Sequence, residues 1–262
     1  MTVTGASNVT GYVNPIHEIA KICHRYNAKI IVDGAQLVAH KEINMKGEKP
    51  GEEIDFLVFS SHKIYAPYGT GIIVGRIEDL SNVTPFLKGG ACVKAVTDYD
   101  VIWDEPPALH EAGSPNSLGA MATGRALQEL KQIGFDNIYE HEMMLKEFLI
   151  TEMKKIDRVI LYGDNENIDD RLGIIVFNID GENYKTIGKK FADEMAISLR
   201  TGKFCAHPYV NRLMSVSDET ACYNAYNNKP TNGMLRISLG LYNTMEEAKS
   251  FIAYTKYLVS TL

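Results

Sequence analysis

The sequence is poor in cysteine and tryptophan and has no long apolar run. Its four cysteines (Cys23, Cys92, Cys205 and Cys222) form no C-x-x-C pair, which argues against a zinc site. No segment approaches the roughly 20 apolar residues that a membrane-spanning helix needs, and the first residues lack the pattern of a secretory signal. We therefore expect a cytoplasmic protein without a metal, whose cysteines are reduced and act as small buried apolar residues.

Basic charge is also scarce. The net charge is -6 and no long run of like charge occurs, so the chain lacks the basic footprint of a nucleic-acid-binding protein. A hydrophobic content of 45% over 262 residues is enough for a sizeable core in one or two domains. These properties predict a globular chain with neither a nucleic-acid nor a membrane partner.

Short apolar runs alternate with amphipathic segments in the first half of the chain. The pattern predicts a helix over 14–26, and strands over 29–32, 56–59 and 72–74. Strand–helix–strand order is typical of a doubly wound parallel sheet, whose strands need crossover helices. Residues 76–110 have weak periodicity and are expected to form an irregular excursion that covers a site or meets a partner subunit.

The pattern changes near Gly134, which ends a helix predicted to run from the turn at 110–117 to about Gln132. The second half combines predicted helices over 137–156, 184–195, 209–214 and 245–259 with strands over 159–162, 172–179, 197–200 and 234–238. This mixture is typical of a small α+β domain. We therefore predict two domains, residues 1–133 and residues 134–262.

Reactive polar side chains follow two of the predicted strands. Asp33 follows one strand and Lys63 follows another, with Ser60 and His62 beside Lys63. In doubly wound sheets, ligands bind beyond the carboxyl ends of the strands, so Asp33 and Lys63 are expected to face one pocket. Taken singly, each residue has an ordinary explanation, such as a turn, a surface charge or a structural histidine.

Together these residues match what a pyridoxal phosphate site requires. A lysine bonds the cofactor aldehyde, and a carboxylate such as Asp33 supports the protonated pyridine ring, which is the electron sink. Gln36 can donate a hydrogen bond to the phenolate oxygen of that ring. Ser60 and His62 can bind the phosphate, and an arginine such as Arg236 can bind a substrate carboxylate through its fork of donors.

Three stretches carry these residues, Val32–Gln36, Phe59–Gly71 and Leu235–Ser238, and two further motifs, Glu111–Asn116 and Arg200–Ala206, lie between the second and the third. In this order they resemble the class V aminotransferase family and, more narrowly, its cysteine desulfurase and selenocysteine lyase branch among the fold-type I pyridoxal phosphate enzymes. The resemblance covers nearly the whole chain. It implies an α/β fold with a three-layer, aspartate aminotransferase-like large domain, incomplete at its N-terminus, and a small α+β C-terminal domain.

The resemblance implies a role for each matching residue near the first strands. Lys63 is implied as the Schiff-base lysine, Asp33 as the partner of the pyridinium nitrogen, and Gln36 as the residue beside the ring oxygen. Ser60 and His62 are implied as phosphate ligands. Pyridoxal 5'-phosphate is accordingly the implied cofactor.

The remaining matches imply contacts to the substrate and to a second subunit. Asn8 is implied near the ring oxygen and substrate, and Ser114 is implied to reach the phosphate from the other subunit of a homodimer. Arg236 and Arg200 are implied as substrate-binding arginines. Cys205 occupies the position of the persulfide-forming cysteine, although Phe204 precedes it where these desulfurases often have histidine. The alternative for Cys205 is a buried residue in a loop that other class V enzymes share.

The implied reaction converts L-cysteine to L-alanine and leaves a persulfide on the enzyme, with a sulfur-acceptor protein as a candidate partner. Lys63 would move the α-proton, and the Cys205 thiolate would attack the substrate sulfur. Two alternatives remain: another class V reaction, such as transamination, β-elimination or epimerisation, and a non-catalytic remnant. Family members carry a long segment before the position equivalent to Asn8, so we expect this chain to be N-terminally truncated.

Overall fold

The chain forms two compact units in the computed structural model, which describes residues 1–229 and 231–262. The first unit contains Met1–Gly5 and Asn14–Phe135, and the second contains Ala6–Val13 and Asp136–Leu262. The sequence predicted residues 1–133 and 134–262, whereas in the structure Ala6–Val13 belongs to the second unit and the first unit extends to Phe135.

Backbone pairing explains the placement of Ala6–Val13. The Val13 amide donates to the Asp170 carbonyl at 2.8 Å, and Tyr12 forms an isolated antiparallel bridge with Arg171. These partners lie far away along the chain, so no local pattern could have revealed them.

A four-stranded sheet forms the centre of the first unit. Its strands lie side by side in chain order: β1 (Thr2–Thr4), β2 (Ile31–Asp33), β3 (Phe56–Ser60) and β4 (Gly71–Gly75). The first three strands are parallel, and β4 pairs antiparallel with β3. The predicted parallel α/β sheet is confirmed. Because β2 and β3 are parallel, their carboxyl ends, at Asp33 and Ser60, lie at the same edge of the sheet.

Helix α1 (Ile16–Arg25) connects β1 to β2, close to the predicted bounds. It begins directly after Pro15, a residue that starts helices well because its φ is already helical. Ile16, Ala20 and Cys23 are buried, and their helical spacing places them on one face. Burial of this face holds α1 within the first unit.

The excursion predicted over residues 76–110 contains more regular structure than expected. Helix α2 (Ile77–Ser81) and an antiparallel hairpin of β5 (Val93–Val96) and β6 (Val101–Trp103) lie within it. These elements are too short and too exposed to produce a clear periodicity. Helix α3 (Ser117–Ile133) follows and ends at Gly134, whose φ of 88° is one that glycine adopts without strain.

A second four-stranded sheet, in which all neighbours are antiparallel, forms the centre of the second unit. Its strands are, across the sheet, β7 (Val159–Leu161), β8 (Ile174–Ile179), β10 (Met234–Ser238) and β9 (Arg200–Gly202). The helices of this half are α4 (Phe135–Met153), α5 (Tyr184–Met195), α6 (His207–Leu213), α7 (Asp218–Tyr226) and α8 (Met245–Thr261). The predicted small α+β fold is confirmed.

Local details of this unit depart from the prediction. The strand expected over 197–200 lies instead at Arg200–Gly202, because α5 ends at Ala196 with a φ of 54° and the Ile197 amide donates back to the Phe191 carbonyl. Helix α7 was not predicted, since none of its side chains is buried and it has no apolar face. None of the described helices has the length and hydropathy needed to cross a bilayer.

Candidate functional site

Asp33 lies at the carboxyl end of β2, on the first unit. Its carboxylate accepts a hydrogen bond from the Ala35 amide at 2.9 Å, and its side chain is exposed. Gly34 follows because the chain packs tightly here: a Cβ at this position would lie 2.7 Å from Leu57 Cδ1. The turn after β2 is therefore fixed by packing, and it presents a carboxylate at the sheet edge.

Lys63 lies on a single turn of 3-10 helix, Ser61–Ile64, directly after β3. Ser61 and Ile64 are buried at the base of the turn, while His62 and Lys63 are exposed. The Ser61 hydroxyl donates to the Thr70 carbonyl at 2.7 Å and accepts from the Thr70 amide at 2.7 Å. These bonds close the segment between β3 and β4, so a rigid base carries an exposed amine and an exposed imidazole.

Asn116 attaches this segment to helix α3. As the N-cap of α3, its side-chain oxygen accepts from the Gly119 amide at 3.0 Å. Its side-chain nitrogen donates to the Tyr68 carbonyl at 2.7 Å and to Thr70 Oγ1 at 3.0 Å. A Cβ at Gly119 would overlap Thr70 Oγ1, so glycine permits this close approach. Ser114, the predicted phosphate contact of a second subunit, is exposed two residues before the cap.

Two arginines lie opposite each other on the second unit. Arg236 of β10 pairs in register with Arg200 of β9. Burial lowers the pKa of Arg236, and the Arg200 guanidinium acts in the same direction, whereas Cys205 has the opposite effect. The Nε of Arg236 is buried without a hydrogen-bond partner among the described residues. Like charges on opposed strand positions repel, so this pair favours binding of an anion.

Cys205 lies in the turn after β9, next to Phe204, whose ring contacts the Arg236 guanidinium. The Ala206 amide donates to the Lys203 carbonyl at 2.8 Å, which closes a four-residue turn. Cys205 is exposed in this turn, whereas its neighbour Phe204 is buried. The alternative of a buried Cys205 is therefore wrong. We expected all four cysteines to be buried. Cys23 and Cys92 are buried, but Cys205 and Cys222 are exposed, so the expectation is wrong for these two.

Asn8 contacts Arg236 through its backbone and the turn that carries Cys205 through its side chain. The Arg236 guanidinium donates to the Asn8 carbonyl at 2.7 Å, and the Asn8 side-chain nitrogen donates to the Phe204 carbonyl at 2.5 Å. Asn8, Arg200, Cys205 and Arg236 are thus neighbours on one unit. Their predicted catalytic and binding roles stay predictions.

The predicted site residues therefore fall into two sets, one on each unit. The first unit carries Asp33, Gln36, Ser60, His62, Lys63 and Ser114. Sequence reasoning missed three residues that shape these sets: Ser61, Asn116 and Phe204. An asparagine just before a helix is a capping signal that could have identified Asn116. The other two depend on contacts distant along the chain.

A mostly parallel sheet with a lysine turn at a strand end, followed by an antiparallel α+β unit, is the fold found in fold-type I pyridoxal phosphate enzymes. The family model described as aminotransferase class-V matches residues 1–251, so the chain belongs to the class-V aminotransferase family. The family resemblance predicted from the sequence is thereby confirmed. Membership implies pyridoxal phosphate as the cofactor.

The chain is similar to curated cysteine desulfurases. Those of Shigella sonnei and Serratia proteamaculans are each 34% identical over 253 and 254 residues, which cover 96% and 97% of this chain. The chain spans only 56% of the length of each of these relatives.

Solved structures agree on the fold. An apo cysteine desulfurase from Thermococcus onnurineus has a TM-score of 0.87 at 29% identity, and the match covers all of this chain and 60% of that one. A cysteine desulfurase from Escherichia coli has a TM-score of 0.85 at 24% identity, and the match covers all of this chain and 59% of that one. At this identity the likeness supports the fold alone.

Proposed function

We propose that the chain supplies the reacting groups of a pyridoxal phosphate-dependent cysteine desulfurase, which converts L-cysteine to L-alanine and keeps the sulfur as a persulfide on Cys205. The observation that carries the proposal is the exposed Cys205 thiol on a turn whose neighbouring residue, Phe204, contacts the Arg236 guanidinium. The cysteine desulfurases to which the chain is similar support the same reaction.

The donor set of the first unit fits pyridoxal phosphate. It offers the amine of Lys63 and the carboxylate of Asp33, both exposed just at or beyond the ends of parallel strands. Lys63 would hold the aldehyde carbon, Asp33 the pyridine nitrogen and Gln36 the ring oxygen, while Ser60 and His62 would hold the phosphate. When bound, the cofactor supplies a sink for the electrons left at the substrate α-carbon.

The chain's own groups would do the rest. The Lys63 amine moves the α-proton. Arg236 and Arg200 hold the substrate carboxylate, and a charge-assisted hydrogen bond of this kind contributes about 1.5–3 kcal/mol. The Cys205 thiolate forms a bond to the substrate sulfur as the carbon–sulfur bond breaks. The bonding pair stays on the β-carbon, which takes up one proton, and Lys63 would return the α-proton to give alanine while the sulfur stays on Cys205 as the persulfide.

The proposal includes partners. A homodimer, in which Ser114 would reach the phosphate of the other subunit, is supported by large exposed apolar side chains on α3 and the β5–β6 hairpin: Leu118, Met121 and Tyr99. A sulfur-acceptor protein, a cytoplasmic location and selenocysteine as a second substrate belong to the same proposal. The alternative is another class V reaction, such as transamination, β-elimination or epimerisation. Dependence of sulfur release from L-cysteine on Cys205 would exclude it.

The experiment adds pyridoxal phosphate to the purified chain and records the visible spectrum, followed by alanine and sulfide release from L-cysteine. We expect the spectrum of a lysine-bound cofactor, which Lys63→Ala abolishes and the exposed-lysine control Lys88→Ala retains. Cys205→Ala should reduce sulfide release at least about 100-fold and keep the cofactor spectrum, whereas Cys222→Ala should change neither. Absence of a cofactor spectrum, or full activity of Cys205→Ala, contradicts the proposal.

A further inference from the structure

Phe204 is the buried residue of the turn that carries Cys205. Its side chain is only 4% exposed and packs in a small cluster with Val9, Val176, Val210 and Met234. This cluster is separate from the main core of the second unit, which lies around α4, α5 and α8. A buried aromatic ring thus anchors the residue next to the exposed Cys205.

The backbone of the turn is held in a conformation that these residue types rarely adopt. Phe204 has a φ of 53° and Cys205 a φ of 61°, as in a type I′ turn, where glycine and asparagine are usual. Such strain persists only where the surroundings over-determine it. Here the buried ring holds one side of the turn, and the hydrogen bond from Asn8 to the Phe204 carbonyl holds the other.

The same ring lies against the substrate-binding arginine. The guanidinium carbon of Arg236 is 5.2 Å from the Phe204 ring centroid, within the range of a cation–π contact. Arg236 also donates to the Asn8 carbonyl, and its register partners across the sheet are the apolar Val176 and the like-charged Arg200. The ring face and the carbonyl therefore fix the plane of a guanidinium that has no carboxylate partner among the described residues.

We propose that Phe204 is a positioning residue that orients the Arg236 guanidinium and the Cys205 thiol together. Its ring is the only aromatic surface recorded against Arg236 in the described part of the chain, and its backbone defines the direction in which Cys205 projects. This inference rests on the proposed desulfurase function for its meaning. The contacts that carry it do not depend on that function.

The test compares Phe204→Leu and the milder Phe204→Met with Phe251→Leu, which removes an equally buried ring from the main core. Iodoacetamide labelling at neutral pH, read by peptide mass spectrometry, gives the rate at Cys205 relative to Cys222 in the same molecule. We expect this ratio to fall about threefold or more in both Phe204 variants, because the turn that presents the Cys205 thiol to solvent loses its buried anchor. Phe251→Leu should leave the ratio unchanged.

Steady-state kinetics supply the second measurement. KM for L-cysteine should rise about three- to tenfold in the Phe204 variants, more than kcat falls, since the loss is in carboxylate binding. An unchanged labelling ratio in a folded Phe204 variant overturns the inference. If sulfide release is absent but the ratio still falls, the positioning role stands and the desulfurase proposal fails. If sulfide release is present while the labelling ratio and KM are unchanged, the desulfurase proposal stands and the positioning role of Phe204 fails.

Discussion

Ser61 illustrates how one buried hydroxyl determines what its neighbours can do. Its side chain is fully buried and forms hydrogen bonds with both backbone groups of Thr70. Ser60, directly before it, has no capping bond and is half-buried at the end of β3. The two adjacent serines thus differ: Ser61 fixes the turn, and Ser60 is the one predicted to bind the phosphate.

Ser61→Ala should therefore destabilise the fold, whereas Ser60→Ala should not. The alanine leaves the Thr70 amide without its hydroxyl partner, and loss of a buried partner costs about 1–3 kcal/mol. Urea unfolding of both variants measures the difference. Ser60→Ala should stay within about 0.5 kcal/mol of the parent protein and instead weaken binding of pyridoxal phosphate. Equal stability of the two variants would refute the division of tasks.

Helix α3 connects the Lys63 turn to the rest of the first unit through its cap. One side chain, Asn116, accepts from the first turn of α3 and donates to the segment after Lys63. The helix start was predictable, since a Gly/Ser/Pro-rich turn preceded a periodic apolar pattern. The bonds from Asn116 to Tyr68 and Thr70 were not, because they join positions that no short-range pattern relates.

Asn116→Asp and Asn116→Ala should separate the two roles of Asn116. Aspartate keeps the acceptor that caps α3 and loses the donor to Tyr68 and Thr70, whereas alanine loses both. Hydrogen exchange by mass spectrometry should show faster exchange over residues 65–71 in both variants. Faster exchange over residues 117–120 is expected only for alanine, with an added loss of about 1 kcal/mol in stability. Identical exchange patterns would contradict this separation.

At the scale of the whole molecule, each unit has its own four-stranded sheet. Local patterns were sufficient for three of the four strands in each sheet, for most helices and for the break at Gly134. They were insufficient for Ala6–Val13, whose strand-like pairing with Arg171 is set by tertiary contacts. The same limit applies to the sites: Lys63 and Cys205 were identified from motifs, but the exposure of Cys205 depends on how Phe204 packs.

The charged centre of the first unit is the carboxylate of Asp55. Asp55 is almost fully buried and accepts hydrogen bonds from His24 Nε2 at 2.9 Å, Arg76 at 2.7 Å and the Ile30 amide at 2.9 Å. It thereby joins α1, the start of β2 and the end of β4. The hydrogen bond to Asp55 is the main reason that the pKa of His24 is raised above 6.5, while burial alone would lower it.

The pKa of Asp55 is lowered: burial, the largest effect, raises it, but the hydrogen bonds from His24, Ile30 and Arg76 together outweigh burial. The two shifts define a pH window. A raised histidine pKa gives stability that is complete below about pH 6.5 and is lost as pH rises through the folded value. A lowered carboxyl pKa gives stability that is present above about pH 3.9 and is lost as pH falls through the folded value. The pair should therefore stabilise the first unit most between these limits.

His24→Gln tests the upper limit of this window. The difference in melting temperature between the parent protein and this variant should be largest near pH 6 and should shrink as pH rises toward 8, because the parent protein loses the charged contact to Asp55. His17→Gln is the matched control on the same helix, since His17 contacts the Glu52 carbonyl rather than a carboxylate. A His24→Gln difference that stays constant from pH 6 to pH 8 would show that the charge on His24 does not support the fold.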